Sequence, residues 1–321
     1  MTHAIVARQA GGPEVLAYEE IERPVPGPGQ LLIKVGAAGV NFIDTYKRSG
    51  TYKVDYPFTP GSEAAGTVEA AGDGVSGFVP GDRVATAEGI NCYAGYALVD
   101  EDAALPVPAG VDDFTAAALP LQGITAHYLM NSTFKVEPDH TVLLHAGAGG
   151  VGLLLIQLLK ARGAEVITTV STDEKEQLAL DAGADHVLRY DGFEGKVRDI
   201  TSGRGADVVY DGVGKDTFDG SLAALRVRGM LVLFGAASGP VPPVDPQRLN
   251  AGGSLFLTRP TMAHYLRDAA ERRWRAEEVF GAAANGSLKV RIGARYPLSQ
   301  ARKAHEDLEG RRTTGKVILV P

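Results

Sequence analysis

Cysteine is almost missing from this chain: Cys92 is the only one in 321 residues. A lone cysteine excludes an internal disulfide and any multi-cysteine metal site, and it makes the cytoplasm the expected setting. Long apolar runs are missing too. Leu153 to Leu159 is too short to cross a bilayer and reads as a buried helix, so no membrane association is expected. The N-terminus has neither a basic region nor a continuous apolar stretch, which leaves no secretory signal to read. Positive charge is in deficit, with a formal net charge of −7 and a pI near 5.6. That balance argues against a nucleic-acid surface, and the pairs Arg272-Arg273 and Arg311-Arg312 read as solvated helix faces. No internal repeat or low-complexity tract appears. What is present, 45% apolar and 22% charged residues, is ordinary globular composition in a chain long enough for about two domains.

The most informative stretch is DHTVLLHAGAGGVGLLLIQLLK, from Asp139 to Lys160. An apolar strand runs into five small residues, Ala146 to Gly150, and then into a helix expected to open at about Val151. Glycines at a strand-to-helix turn allow a tight bend and let phosphates approach bare N–H groups at the helix N-terminus. The stretch therefore reads as the first unit of a doubly wound dinucleotide-binding sheet.

The residues beyond Lys160 support that reading. Strand-like runs (AEVITTVS, DHVLRY, ADVVYDG, GMLVLFGAAS and GSLFLTRP) alternate with helix-like ones (TDEKEQLALDAG, FEGKVRDITSG and DTFDGSLAALRVRG). Six strands in this alternation complete the fold. Ahead of it, residues 1 to about 122 read as a β-rich domain punctuated by glycine and proline. Asn41 to Tyr52 interrupts that pattern with a polar and aromatic segment that has little reason to be core, so it is expected to form the lip of a binding cleft. Between Asp113 and Phe134 the periodicity is helical, with breaks expected at Pro120 and Gly123. The tail beyond Pro260 has no place left in the second sheet and is expected to return to the first domain. The expected division is therefore 1–122 with 262–321, and 123–261 as an insertion.

In this fold a carboxylate about 20 residues beyond the glycine motif holds the adenosine ribose hydroxyls and repels a 2′-phosphate. Here nineteen positions beyond Gly152 lead to Ser171, which carries no charge. Lys175 comes on the next turn, and Tyr190 closes the third strand. One cation and two hydroxyls suit a phosphate dianion, so NADPH is expected over NADH. Asp173 and Glu174 oppose this preference if they turn inward.

The chain resembles the quinone oxidoreductase (zeta-crystallin-like) family of the medium-chain dehydrogenase/reductases. The resemblance rests on GGPEVL (Gly11 to Leu16), GVNFIDTYKRSGTY (Gly39 to Tyr52), PGSEAAGTVEAAG (Pro60 to Gly72), LPLQGITAHYL (Leu119 to Leu129), the glycine stretch, and YDGVGKDTF (Tyr210 to Phe218). It implies an α/β fold: a GroES-like β-rich catalytic domain plus an inserted six-stranded doubly wound Rossmann domain. It also implies a homodimer paired through the last sheet strand, Gly253 to Thr258, and NADPH-dependent reduction of small quinones. For the coenzyme, the resemblance implies Asn41 and Thr125 at the nicotinamide end and Gly149, Gly150, Val151 and Gly152 at the pyrophosphate. It points again to Ser171, Lys175 and Tyr190, and it places Phe234 and Gly235 at the carboxamide, with Arg259 and Lys316 near the same cleft.

Zinc-dependent members of that superfamily use a cysteine where this chain has Asn41, and a histidine where it has Ser62, before Glu63; the structural-zinc lobe is missing. Without sulfur or paired imidazole donors the chain is expected to bind no metal. None of the seven histidines has an i, i+4 histidine partner. No Ser-His-Asp arrangement is visible, and Cys92 reads as a packing residue. Hydride transfer needs alignment more than covalent catalysis. A reduced quinone also needs protons, and Tyr46 and Tyr52 are the expected donors, with Asn41 and Asp44 ordering their loop. Both tyrosines serve equally well as an aromatic wall for a flat substrate, with water as the proton source. The competing activities are NADPH-dependent reduction of α,β-unsaturated aldehydes or ketones and, outside catalysis, a crystallin-like structural or RNA-binding role.

Overall fold

Glycine and proline divide the first third of the chain into short strands: β1 (Thr2–Ala7), β2 (Leu16–Ile21), β3 (Gln30–Val40), β4 (Glu63–Ala71), β5 (Arg83–Thr86), β6 (Tyr96–Asp100) and β7 (Leu105–Pro106). Helix α1 (Phe42–Arg48) lies between β3 and β4, and α2 (Asp113–Ala118) and α3 (Pro120–Tyr128) come after β7. The computed structural model describes residues 1–321 and divides into two units, Met1–Ile124 with Asp268–Pro321, and Thr125–Arg267. The expected joints, after residues 122 and 261, fall slightly earlier in the chain.

The first break in the helical linker is where the sequence puts it, since α2 ends at Ala118 and Pro120 opens α3. Gly123 does not break the helix. It lies inside α3, where a Cβ would meet Val279 Cγ1 at 2.6 Å, so glycine there serves close packing. Asn41 to Tyr52 also differs from expectation: α1 buries Asp44, Thr45 and Arg48.

The tail supplies α9 (Ala269–Ala284), β14 (Ile292–Pro297), α10 (Ala301–Glu309) and β15 (Lys316–Val320). β15 pairs antiparallel with β3, completing a seven-stranded sheet of order β14-β15-β3-β4-β5-β7 with β6 on β3. Its core packs Ile5, Leu31, Ile33, Tyr93, Val317 and Leu319. Each such fully buried side chain contributes about 2 kcal/mol.

The second unit alternates β8 (Thr141–His145), α4 (Gly150–Arg162), β9 (Glu165–Thr169), α5 (Asp173–Asp181), β10 (His186–Leu188), α6 (Phe193–Ile200), β11 (Ala206–Asp211), α7 (Phe218–Ala223), β12 (Leu225–Leu233), α8 (Gln247–Ala251) and β13 (Phe256–Thr258). Every pairing is parallel, in the order β10-β9-β8-β11-β12-β13. The order reverses between β8 and β11, so the ligand crevice of such a sheet opens at their C-terminal ends. β12 starts earlier than its apolar run implies and takes in Arg226 to Arg228, which the sequence pattern assigns to helix. No helix of the chain is long and apolar enough to cross a membrane.

Candidate active site

In the first unit the site is built where β3 runs into α1. Asn41 is the N-cap of α1, and its backbone N–H donates to Asp44 Oδ2 at 2.9 Å. The Asn41 carboxamide is held by residues distant in the chain. Nδ2 donates to Glu63 Oε2 at 2.7 Å, and Oδ1 accepts from Lys316 Nζ at 2.8 Å. Lys316 also bonds Glu63 Oε2, and Glu63 Oε1 accepts the Leu121 N–H at 2.8 Å. Gly39 makes room for this cluster, because a Cβ there would overlap the Glu63 carboxylate. Asn41, Glu63 and Lys316 are all buried, and burial lowers the Lys316 pKa while the Glu63 charge opposes that shift. The resemblance places Lys316 near the coenzyme cleft; its ammonium bonds Glu63 and Asn41, which fixes the Asn41 carboxamide.

Two buried oxygens here have no protein partner, Asp44 Oδ1 and Gln122 Oε1. Nothing in the sequence marks Gln122 as a site residue, although its Nε2 reaches Asn41 Oδ1 at 3.4 Å. Burial raises the Asp44 pKa to about 6, against the donors of Asn41 and Tyr93. On the outer part of the segment Tyr46 and Tyr52 meet edge to face, with centroids 5.4 Å apart, and the Tyr52 N–H donates to the Tyr46 carbonyl at 2.9 Å. The rings thus form one aromatic surface that also carries two hydroxyls. Cys92 is fully buried, which raises its thiol pKa and suits a packing residue.

In the second unit, β8 passes into α4 through a turn in which Ala146 holds a left-handed φ of 57°. A Cβ on Gly152 would approach the Ala146 carbonyl oxygen to 2.4 Å, so only glycine lets the helix begin this close to the turn. Gly149 is the N-cap of the thirteen-residue α4. The first N–H groups of the helix, on Gly150, Val151 and Gly152, have no partner within it, and with the helix dipole they suit a pyrophosphate.

At the next corner Lys175 Nζ lies 3.5 Å from Ser171 Oγ. Arg189, just past β10 and missed in the sequence, bonds Asp173 at 2.5 Å and Glu176 at 2.6 Å. The signal for it was the acidic first turn of α5 ahead of a strand leading into arginine. Tyr190 stacks on His145 at 6.1 Å between centroids. His145 is buried, with Nδ1 2.8 Å from Thr169 Oγ1 and Nε2 2.9 Å from Ser221 Oγ, and Ser221 donates to Asp211 Oδ2 at 2.8 Å. Serine, histidine and aspartate do meet here, which the sequence does not reveal. The serine hydrogen goes to the carboxylate rather than to the imidazole, so this is no nucleophilic triad. The Phe234 N–H bonds the Asp211 carbonyl at 2.9 Å, and Gly235 packs so closely on Gly212 that a Cβ would meet its carbonyl oxygen at 2.4 Å. Thr125 is buried in α3, and Arg259 NH1 reaches the Pro260 carbonyl at 3.4 Å.

A GroES-like sheet closed by its own tail, together with a six-stranded dinucleotide sheet, defines a medium-chain dehydrogenase/reductase. The family models agree: residues 27–132 match the alcohol dehydrogenase GroES-like domain and residues 150–277 match zinc-binding dehydrogenase. The quinone oxidoreductase of Pseudomonas aeruginosa is 42% identical over 315 residues, covering 97% of each chain. The 2-haloacrylate reductase of a Burkholderia species is 40% identical over 331 residues, covering 100% of this chain and 99% of that one. A mycobacterial protein solved in complex with NADPH is 52% identical, with a TM-score of 0.98 and full coverage of both chains. The chain belongs to the quinone oxidoreductase family.

The zinc named in one family description does not fit these residues. No group of three or more His, Cys, Asp or Glu side chains is placed to hold a metal ion, and the Lys316 ammonium sits between Asn41 and Glu63 where a dication would be repelled.

Proposed function

We propose that this protein is a metal-independent NADPH:quinone oxidoreductase acting on small, planar, electron-poor quinones. The observation that carries the coenzyme choice is the corner at Ser171: no carboxylate stands at the end of β9, Lys175 is beside it, and Arg189 holds Asp173 and Glu176. Gly149 to Gly152 hold the pyrophosphate, Ser171, Lys175 and Tyr190 the 2′-phosphate, and Phe234 and Gly235 the carboxamide. Asn41 and Thr125 orient the nicotinamide end, and Arg259 supports that region. Bound NADPH supplies the hydride, so the protein contributes alignment and no metal is required. The buried Lys316–Glu63 pair holds the Asn41 carboxamide in one orientation. Tyr46 and Tyr52 offer a flat substrate an aromatic face, and their hydroxyls donate hydrogen bonds to the oxyanion left by reduction.

The second reading, reduction of α,β-unsaturated carbonyl compounds, is favoured by the 40% identity to a 2-haloacrylate reductase. It uses the same coenzyme and the same metal-free residues. A crystallin-like structural role is disfavoured by the complete glycine turn, and RNA binding by the net charge of −7. The working form is a homodimer in the cytoplasm: β13 is an edge strand, and Phe256 on it and Val227 remain 55% and 64% exposed. Pairing β13 with its mate would cover that edge.

The test is binding of NADPH and NADH to metal-free protein, and then steady-state rates with a panel of quinones and enones. Tighter NADPH binding and faster quinone turnover are expected. Enones faster throughout would establish the second reading, and light scattering at micromolar concentration checks the dimer.

A further inference from the structure

Behind α1 runs a chain of buried polar groups that the proposed reaction does not use. Arg48 is 2% exposed and pairs with Glu309 through NH2 at 2.7 Å and NH1 at 3.1 Å. Its NH1 also lies 3.0 Å from His305 Nδ1. His305 is fully buried, with Nε2 3.2 Å from the Tyr93 hydroxyl. Tyr93 in turn donates to Asp44 Oδ2 at 3.0 Å, the oxygen that accepts the Asn41 N–H at 2.9 Å.

Chemistry fixes the direction of every bond. A guanidinium only donates, so His305 Nδ1 is bare and its hydrogen is on Nε2, aimed at the tyrosine oxygen. The tyrosine hydrogen then goes to the carboxylate. Arginine cannot pass protons onward, so the chain is not a proton wire to solvent; it orients. The other Asp44 oxygen has no protein partner, which leaves Tyr93 and Asn41 as the donors that anchor this buried carboxylate. Burial and the Arg48 charge lower the His305 pKa to about 3, so the imidazole stays a neutral acceptor at Nδ1 at any ordinary pH.

We propose that His305 is a positioning residue for Asn41: through Tyr93 it fixes Asp44, and Asp44 holds the Asn41 backbone so that its carboxamide stays on Glu63 and Lys316. The inference rests on the proposed role of Asn41 in orienting the coenzyme. It links α10, near the C-terminus, to the residue at the junction of β3 and α1.

Three variants of the full chain test it. H305Q retains an acceptor for Arg48 and a donor for Tyr93, H305F retains neither, and Y93F removes the donor to Asp44. Hydrogen exchange of the coenzyme-free protein, read by mass spectrometry over residues 39–48, should be about tenfold faster in H305F and Y93F and within about twofold of wild type in H305Q, the scale of losing one helix-capping bond. The KM for NADPH should rise in H305F and Y93F with little change in the KM for 1,4-benzoquinone, and H305Q should restore it. Wild-type protection in both H305F and Y93F would overturn the proposal. So would an H305Q protein as impaired as H305F while unfolding at the wild-type temperature. If H305F does not fold, Y93F decides. The exchange readout needs no coenzyme, so it judges the relay even if wild-type protein fails to bind NADPH, a result that would defeat the functional reading instead.

Discussion

Arg189 NH2 holds Asp173 Oδ1 at 2.5 Å, from the end of one strand to the first turn of the helix that follows another. The same nitrogen holds Glu176, so one guanidinium offsets part of the charge of two carboxylates beside Ser171 and Lys175. The contact is exposed and adds little to stability. Its effect falls on the ligand. Replacing Arg189 with alanine should leave NADH affinity unchanged and weaken NADPH by about three- to tenfold at low salt, with the difference shrinking at high salt as the freed charges are screened. Fluorescence titration with both coenzymes at two ionic strengths checks this, and equal losses for the two would refute it.

Ser171 gives the complementary experiment. A carboxylate at this position would bond ribose hydroxyls and repel a 2′-phosphate, so Ser171→Asp should lower the NADPH-to-NADH ratio of kcat/KM by about 10- to 100-fold. Lys175→Ala should lower NADPH affinity alone. If neither substitution moves the ratio, the phosphate does not bind at this corner.

Lys316 and Glu63 form a buried pair that also holds Asn41. Removing one partner strands a charge in the interior. Lys316→Met alone should therefore destabilise by about 3–5 kcal/mol, and adding Glu63→Gln should recover most of that loss. Urea unfolding of the single and double variants measures it. Both proteins should also lose activity, because the Asn41 carboxamide loses the Lys316 donor that holds its oxygen.

How far the sequence leads depends on whether a feature is local. The glycine turn, the six parallel strands and the uncharged Ser171 are legible because periodicity, turn chemistry and spacing lie within a few residues of one another. The start of β12 is misread because Leu225 to Arg228 run on directly from a helix-like stretch; Leu225 pairs with Ala206 of β11, and a register shift separates it from the Val208–Met230 pairing. Gly123 reads as a breaker because nothing near it in the sequence reveals Val279. Asn41 and Asp44 are visible, but what holds them is not: Lys316 is 275 residues from Asn41, and His305 is 257 residues from Arg48. Arg189 lies between these extremes, since its acidic partners are nearby and their charge is noticed without its answer.

Three buried groups titrate oppositely in the pH range just below neutrality. The pKa of His145 is lowered by burial to about 4, and that of His305 by burial and Arg48 to about 3, from an ordinary 6.5. Both are neutral when folded and take up protons on unfolding, so their contribution is intact above pH 6.5 and is lost as pH falls. Asp44 works in the opposite sense. Burial raises its pKa from 3.8 to about 6, so the folded protein takes up that proton first and gains stability as pH falls from 6 toward 4. Among these three, two protons favour the unfolded chain and one favours the folded, so together they make the protein lose stability as pH falls from 6 toward 4. Asp44→Asn removes the offset and should steepen the loss, whereas His305→Gln should remove one of the two histidine protons and flatten it. Urea unfolding at intervals between pH 4.5 and 7.5 gives the three slopes. Identical slopes would mean that these groups do not change their protonation on unfolding.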